Sequence, residues 1–162
     1  MTRRRKILVA TVSATVFVVL TFLAVLLMPG YLGIAYHNQC IDQAESAATR
    51  IDVKLKTTDG DAQKTVTITD PDQMRWLLSR LRLSPQPLAA RTFHACAGNL
   101  AVSITTPDET YSLSYDHGNG MSPIFRDRDV LGFITMDQSV CAELNSYFEF
   151  LGFSQQEMTG CP

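Results

Sequence analysis

A chain of 162 residues, 46% hydrophobic and 19% charged, has room for one domain and little else. Its net charge of −2 is unevenly spread. Arg3, Arg4, Arg5 and Lys6 come first, and the remainder holds ten basic residues against all sixteen acidic ones, a balance of −6. That sign excludes nucleic-acid binding through a general electrostatic footprint and suits a solvated surface or a basic partner.

Ile7 to Met28 carries no charge and is broken only by Thr and Ser. At helical rise it covers about 33 Å, enough to cross a hydrocarbon core. Pro29 and Gly30 are expected to interrupt the helix, and Tyr31 and Tyr36 follow where amphipathic rings settle at a membrane interface. The basic cluster lies on one side only. Residues 1–6 are therefore expected in the cytoplasm, 7–28 as a transmembrane signal-anchor helix in contact with lipid, and the rest on the far side. Such an arrangement suits a bacterial inner membrane with a single-pass anchor and a periplasmic or extracellular domain. Cleavage near Ala35, with Gly33 and Ala35 as the small residues, is the competing expectation, and the length of the apolar run weighs against it.

Residues 29–50 read as a juxtamembrane linker or short helix, and 51–162 as an extracytoplasmic α+β domain. Ile51, Val53 and Leu55 alternate with Asp52, Lys54 and Lys56, which predicts a strand with one wet face. Asp59-Gly60 signals a turn, and Val66 and Ile68 mark the returning strand. Asp70, Pro71 and Gln73 form a helix start, followed by a stripe of Met74, Leu77, Leu78 and Leu81 that faces the core, Trp76 included. Ser84-Pro85-Gln86-Pro87 ends that helix.

Leu100, Val102 and Ile104, then Tyr111, Leu113 and Tyr115, predict a hairpin around Thr106-Pro107-Asp108-Glu109. Asp116 to Gly120 reads as a flexible loop, with Ile124-Phe125 and Val130 to Ile134 as short strands. Thr135 or Asp137 caps a last helix carrying Val140, Cys141, Leu144, Tyr147, Phe148 and Leu151, Gly152 stops it, and Ser154 to Gly160 reads as a polar tail. The order β-β-α-β-β-(β)-α with hairpin-length links implies an α+β fold, a small antiparallel sheet with two helices on one face.

All four cysteines, Cys40, Cys96, Cys141 and Cys161, follow the apolar run. In an exported domain an even number points to two disulfides, with three connectivities open. His94 with Cys96, and His117 with Met121, are the groups that suggest a metal, but their spacing fits no known ligand pattern, so neither metal nor cofactor is assigned. Ser103, Ser114 and Ser122 lack a nucleophile-elbow setting, and no catalytic residue is assigned. Arg126-Asp127-Arg128-Asp129 alternates in sign, so an extended chain would show arginines on one face and carboxylates on the other. With the glycine-rich loop and Phe125 it makes a partner-binding edge, whose candidate residues are His117, Asn119, Phe125, Arg126 and Arg128; the acidic positions Asp52, Asp59 and Asp61 stand second.

The stretch from Phe93 to Phe153 resembles bacterial envelope proteins in which a Cys and a Gly precede a two-stranded hairpin, a His-Gly turn and a terminal helix. Here these are Cys96, Gly98, His117-Gly118 and the helix ending at Gly152. The resemblance implies no activity. The sequence is therefore read as a membrane-anchored, extracytoplasmic protein-binding module of the inhibitor or immunity type, directed against a toxin or hydrolase, and not as an enzyme. An accessory subunit of an envelope complex is the alternative, with Ala10, Thr11, Ser13, Ala14 and Thr15 as a small-residue helix face. A small metal-binding or hydrolytic domain comes third.

Overall fold

The computed structural model describes residues 3–56, 62–84, 100–116, 120–122, 124 and 134–159, and within the first helix the side chains of residues 12–22 and 32–47. That helix, α1 (Arg3–Ala47), is 45 residues long. It does not stop at Pro29-Gly30, contrary to the expectation from sequence. A proline removes one ladder bond and crowds the preceding turn. The helix nevertheless continues, because its second half is held by burial: Ile34, His37, Cys40, Ile41 and Ala44 are all buried at helical spacing. Among the described residues no helix is long and apolar enough to cross a membrane; within the apolar run, the described side chains are those of residues 12–22.

Two residues separate α1 from β1 (Arg50–Lys56), a seven-residue strand that pairs with β2 (Ala62–Ile68) as the alternation predicts. Helix α2 (Pro71–Arg80) follows, then β3 (Leu100–Thr105), β4 (Thr110–Asp116), β5 (Gly120–Ser122), β6 (Ile134–Thr135), α3 (Gln138–Phe150) and α4 (Gln155–Thr159). The sheet is antiparallel with strand order β2-β1-β3-β4-β5-β6. Thus the chain, having left β2 through α2, returns on the other side of β1, which makes β1 an inner strand.

Register puts the large apolar strand positions on one face. Ile51 lies between Ile68 and Ile104, Val53 between Val66 and Val102, and Leu55 beside Leu100, while Tyr115 joins Leu100 to Met121. Against this face pack Met74, Leu77 and Leu78 of α2 and Cys141, Leu144 and Phe148 of α3, in one hydrophobic cluster. The two helices expected there are present, and the second half of α1 and Met158 of α4 join them. Each fully buried Leu or Ile contributes about 1.5–3 kcal/mol.

The opposite face carries Thr65, Thr67, Ser103, Ser112 and Ser114, half-buried or exposed. Asp52 belongs to it, and here the expected wet strand face is corrected: Asp52 is 7% exposed. Because β3 flanks β1, the carboxylate lies between neighbours; Thr67 Oγ1 donates to it at 2.7 Å and Arg50 Nε stands 3.2 Å away. A buried carboxylate so satisfied is part of the fold and not a free acidic surface.

Local signals are realised at the helix ends. Asp70 accepts from the backbone N–H groups of Asp72 and Gln73, at 3.1 and 2.8 Å. Asp137, not Thr135, caps α3 by accepting from Ser139, whose hydrogen bonds hold its carboxyl below the usual range. Gly152 ends α3 with φ +91°, a conformation that costs a Cβ-bearing residue. The expected polar tail is helix α4 instead. Ser154 and Glu157 form a reciprocal capping box, at 2.7 Å and 3.2 Å, and Met158 plugs the core. The expected glycine loop is shorter than foreseen, since Gly120 already lies in β5, and Ile124 is outside any strand.

Candidate functional site

Two features of the described surface stand out, the seat of α1 and a groove between α2 and α3. The seat uses the residues that leave α2. His37 Nε2 lies 2.8 Å from the Leu81 carbonyl oxygen. Asn38 then pairs with Leu83 as a strand would, donating to its carbonyl at 2.8 Å and accepting from its N–H at 2.9 Å. Arg82 Nη2 bridges Asp42 at 2.6 Å and Glu45 at 2.7 Å, and both carboxylates raise its proton affinity, Glu45 foremost. These are exposed ion pairs, worth about 0–1 kcal/mol each. The half-buried Asn38 amide and the buried His37 imidazole set the register, because leaving the buried imidazole unpaired would cost about 1–3 kcal/mol.

On the sheet side the Tyr111 hydroxyl donates to the Glu109 carboxylate and lies 3.0 Å from Gln43 Oε1. Burial, then Glu109, raises its proton affinity well above the ordinary phenol value. Cys40 carries a buried free thiol, where the sequence suggested a half-cystine. It sits on the covered face of α1, burial raises its pKa, and a hydrogen bond with Tyr36 opposes that rise. Cys141 is buried on α3, while Cys96 and Cys161 lie outside the described residues.

The groove is shallow and open, lined by Trp76 of α2 and Ala142, Glu143, Ser146 and Tyr147 of α3, with a volume of about 480 Å³. Trp76 and Tyr147 meet with ring centroids 4.7 Å apart, and Phe150, 76% exposed, stacks beyond Tyr147 at 6.3 Å. Arg80 closes one end, with its guanidinium 5.5 Å from the Trp76 ring and its Nε 2.6 Å from Glu143 Oε2. Gln73, expected to complete a capping box, instead accepts from the Tyr147 hydroxyl at 3.2 Å. The groove thus presents aromatic faces beside a paired cation and anion. Trp76 is half-buried: its ring packs on the core, as read from the sequence, and also lines the groove. The signal was present in its position, because Trp76 falls between the buried positions Met74 and Leu77 on the flank of the stripe.

The partner-binding residues chosen from the sequence, His117, Asn119, Phe125, Arg126 and Arg128, all lie outside the described residues, as do Asp59 and Asp61. They bracket β5, which extends the sheet beyond β4. His94, Cys96 and His117 lie outside as well, and Met121 is fully buried beside Tyr115. Among the described residues no three His, Cys, Asp or Glu side chains group as a metal site would require. Ser103 and Ser112 face each other at 3.5 Å on the open side of the sheet, away from His37, so these serines gain no base from the described histidine. Compared with known proteins, the chain matches no protein-family model, no curated protein and no solved structure.

Proposed function

We propose that the chain is a membrane-anchored protein-binding module. Residues 7–28 cross the membrane with 1–6 in the cytoplasm, and the α+β domain meets a protein partner on the extracytoplasmic side. The observation that carries this reading is the continuity of α1, which passes from the apolar run into the core of the domain. A helix of 45 residues is about 67 Å long, whereas a hydrocarbon core takes about 30 Å. The remainder protrudes, and the domain is folded around it. From Met28 to Ile34 the rise is about 9 Å, so the domain stands close to the bilayer. An uncleaved anchor is supported by the same burial, because a cut after Ala35 would strip Ile34, 3% exposed, from the core.

Binding in place of catalysis is supported by what the groove offers. Aromatic rings and arginine dominate recognition hot spots, and Trp76, Tyr147, Phe150 and Arg80 supply both. The edge carrying His117, Asn119, Phe125, Arg126 and Arg128 is the second contact surface in this proposal. An inhibitor or immunity-type role needs only the domain held at the membrane. The accessory-subunit reading is favoured by a different consequence of α1: a helix fixed to the domain transmits any displacement made in the membrane. A reporter fused after Pro162 tests the topology, with activity expected only on the far side of the membrane; a cytoplasmic signal would refute the reading. Replacing residues 7–28 by an unrelated membrane helix separates the two roles, since an inhibitor survives the exchange and an accessory subunit fails.

A further inference from the structure

We propose that His37 is a pH-operated latch: neutral, it ties α1 both to the exit of α2 and to the backbone of Ile124, and protonated, it releases Ile124. The imidazole is fully buried, and both ring nitrogens are engaged. Nε2 lies 2.8 Å from the Leu81 carbonyl oxygen, and Nδ1 lies 3.1 Å from the backbone nitrogen of Ile124. A carbonyl can only accept and a backbone amide can only donate, so the tautomer is fixed with its proton on Nε2 and its lone pair on Nδ1. A second proton, added at Nδ1, would face the Ile124 N–H donor against donor. One hydrogen bond would be lost and a cation would be buried, and both are relieved when Ile124 moves away.

Among the described residues no charged neighbour offsets this. On the docked part of α1, residues 34–47, the other titratable groups are Tyr36, Cys40, Asp42 and Glu45; at the end of α2 and its exit they are Arg80 and Arg82, while Asp72 and Arg75 in the first half of α2 pair with each other. Arg82 is committed to Asp42 and Glu45, and Arg80 to Glu143. Beside Ile124, the described buried neighbour on β5 is the apolar Met121. None of these groups is among the causes that displace the His37 pKa: burial lowers it, and the bond to Leu81 opposes in smaller measure. With the latched pKa below the ordinary 6.5, the open form binds more protons as the pH falls below that value. The latch is therefore held in full above pH 6.5 and lost toward the latched pKa, with the opening equilibrium shifting about tenfold per pH unit in that window. The chain beyond Ile124 continues into Phe125, Arg126 and Arg128, so acidity on the far side of the membrane would act next to the proposed contact edge. The latch itself holds whatever the partner is.

The test uses the full chain in detergent micelles or nanodiscs, reading hydrogen exchange at the Ile124 amide, corrected for the intrinsic pH dependence of exchange. Protection in the wild type is expected to fall about tenfold per pH unit below 6.5, and His37→Gln is expected to abolish that slope. A flat wild-type profile, or the same slope in the variant, would overturn the proposal. Should the variant not fold, the ring nitrogen shifts of wild-type His37 decide. An Nε2–H tautomer titrating below 6.5 in step with the loss of protection supports the latch, and an Nδ1–H tautomer or a midpoint at or above 6.5 overturns it.

Discussion

If residues 34–47 are core and not tether, Ile41→Ala must destabilise the whole domain. Ile41 is 0% exposed and ranks among the largest fully buried side chains, on a segment that the sequence reads as a linker or short helix. Truncating such an Ile removes buried methyl and methylene groups and leaves a cavity, at a cost of about 2–5 kcal/mol. A value near 3 kcal/mol fits a site closed on every side, where the surroundings cannot collapse onto the void. Against a total stability of about 5–15 kcal/mol this is a large fraction, and it lowers Tm by roughly 10 °C for a domain of this size. The measurement is urea unfolding of a soluble fragment starting at Tyr31, followed by far-ultraviolet circular dichroism and Trp76 fluorescence together. Gln39→Ala, an exposed position on the same turn, is the control, expected within about 0.5 kcal/mol of wild type. Equal midpoints for Ile41→Ala and Gln39→Ala would refute the docked helix and restore residues 29–50 to a linker. A fragment starting at residue 37, by contrast, lacks Ile34 and should unfold at lower urea than the one starting at Tyr31.

Cys40 should resist alkylation in the folded protein at pH 8 and react only on unfolding, since it is buried and its pKa is raised; recovery of Cys40 as a half-cystine, or rapid labelling, would refute the buried-thiol assignment. Arg126→Ala combined with Arg128→Ala should leave the unfolding midpoint within about 1 kcal/mol of wild type and reduce partner crosslinking in membranes. A photo-crosslinker at Phe150 compares the α2–α3 groove with that edge: adducts at either position support a binding module, and none at both positions contradicts it.

Much of the domain was legible in the chain itself. A two-residue period marked β1, β3 and β4, and their register places those same alternating residues on the covered face. Asp70-Pro71 and Gly152 announced the start of α2 and the end of α3 because caps and left-handed glycines act through neighbouring residues. Helix α4 had a legible box at Ser154 and Glu157, but a five-residue helix shows no period and is decided by Met158 finding the core. Strand β5, three residues long, exists through its pairing with β4.

What tertiary structure alone decided depends on residues distant in the chain. Placing β3 against β1 turned Asp52 from a solvated acid into a buried, hydrogen-bonded one. Docking α1 on the α2 exit made a helix of a proline-interrupted segment, and gave His37 partners 44 and 87 residues away. The meeting of α2 with α3 put Trp76 at a groove. Periodicity and capping are properties of a few adjacent residues, so the sequence states them directly. Which strand lies beside which, and what a buried ring nitrogen meets, follows only when separate hydrophobic stripes share one core.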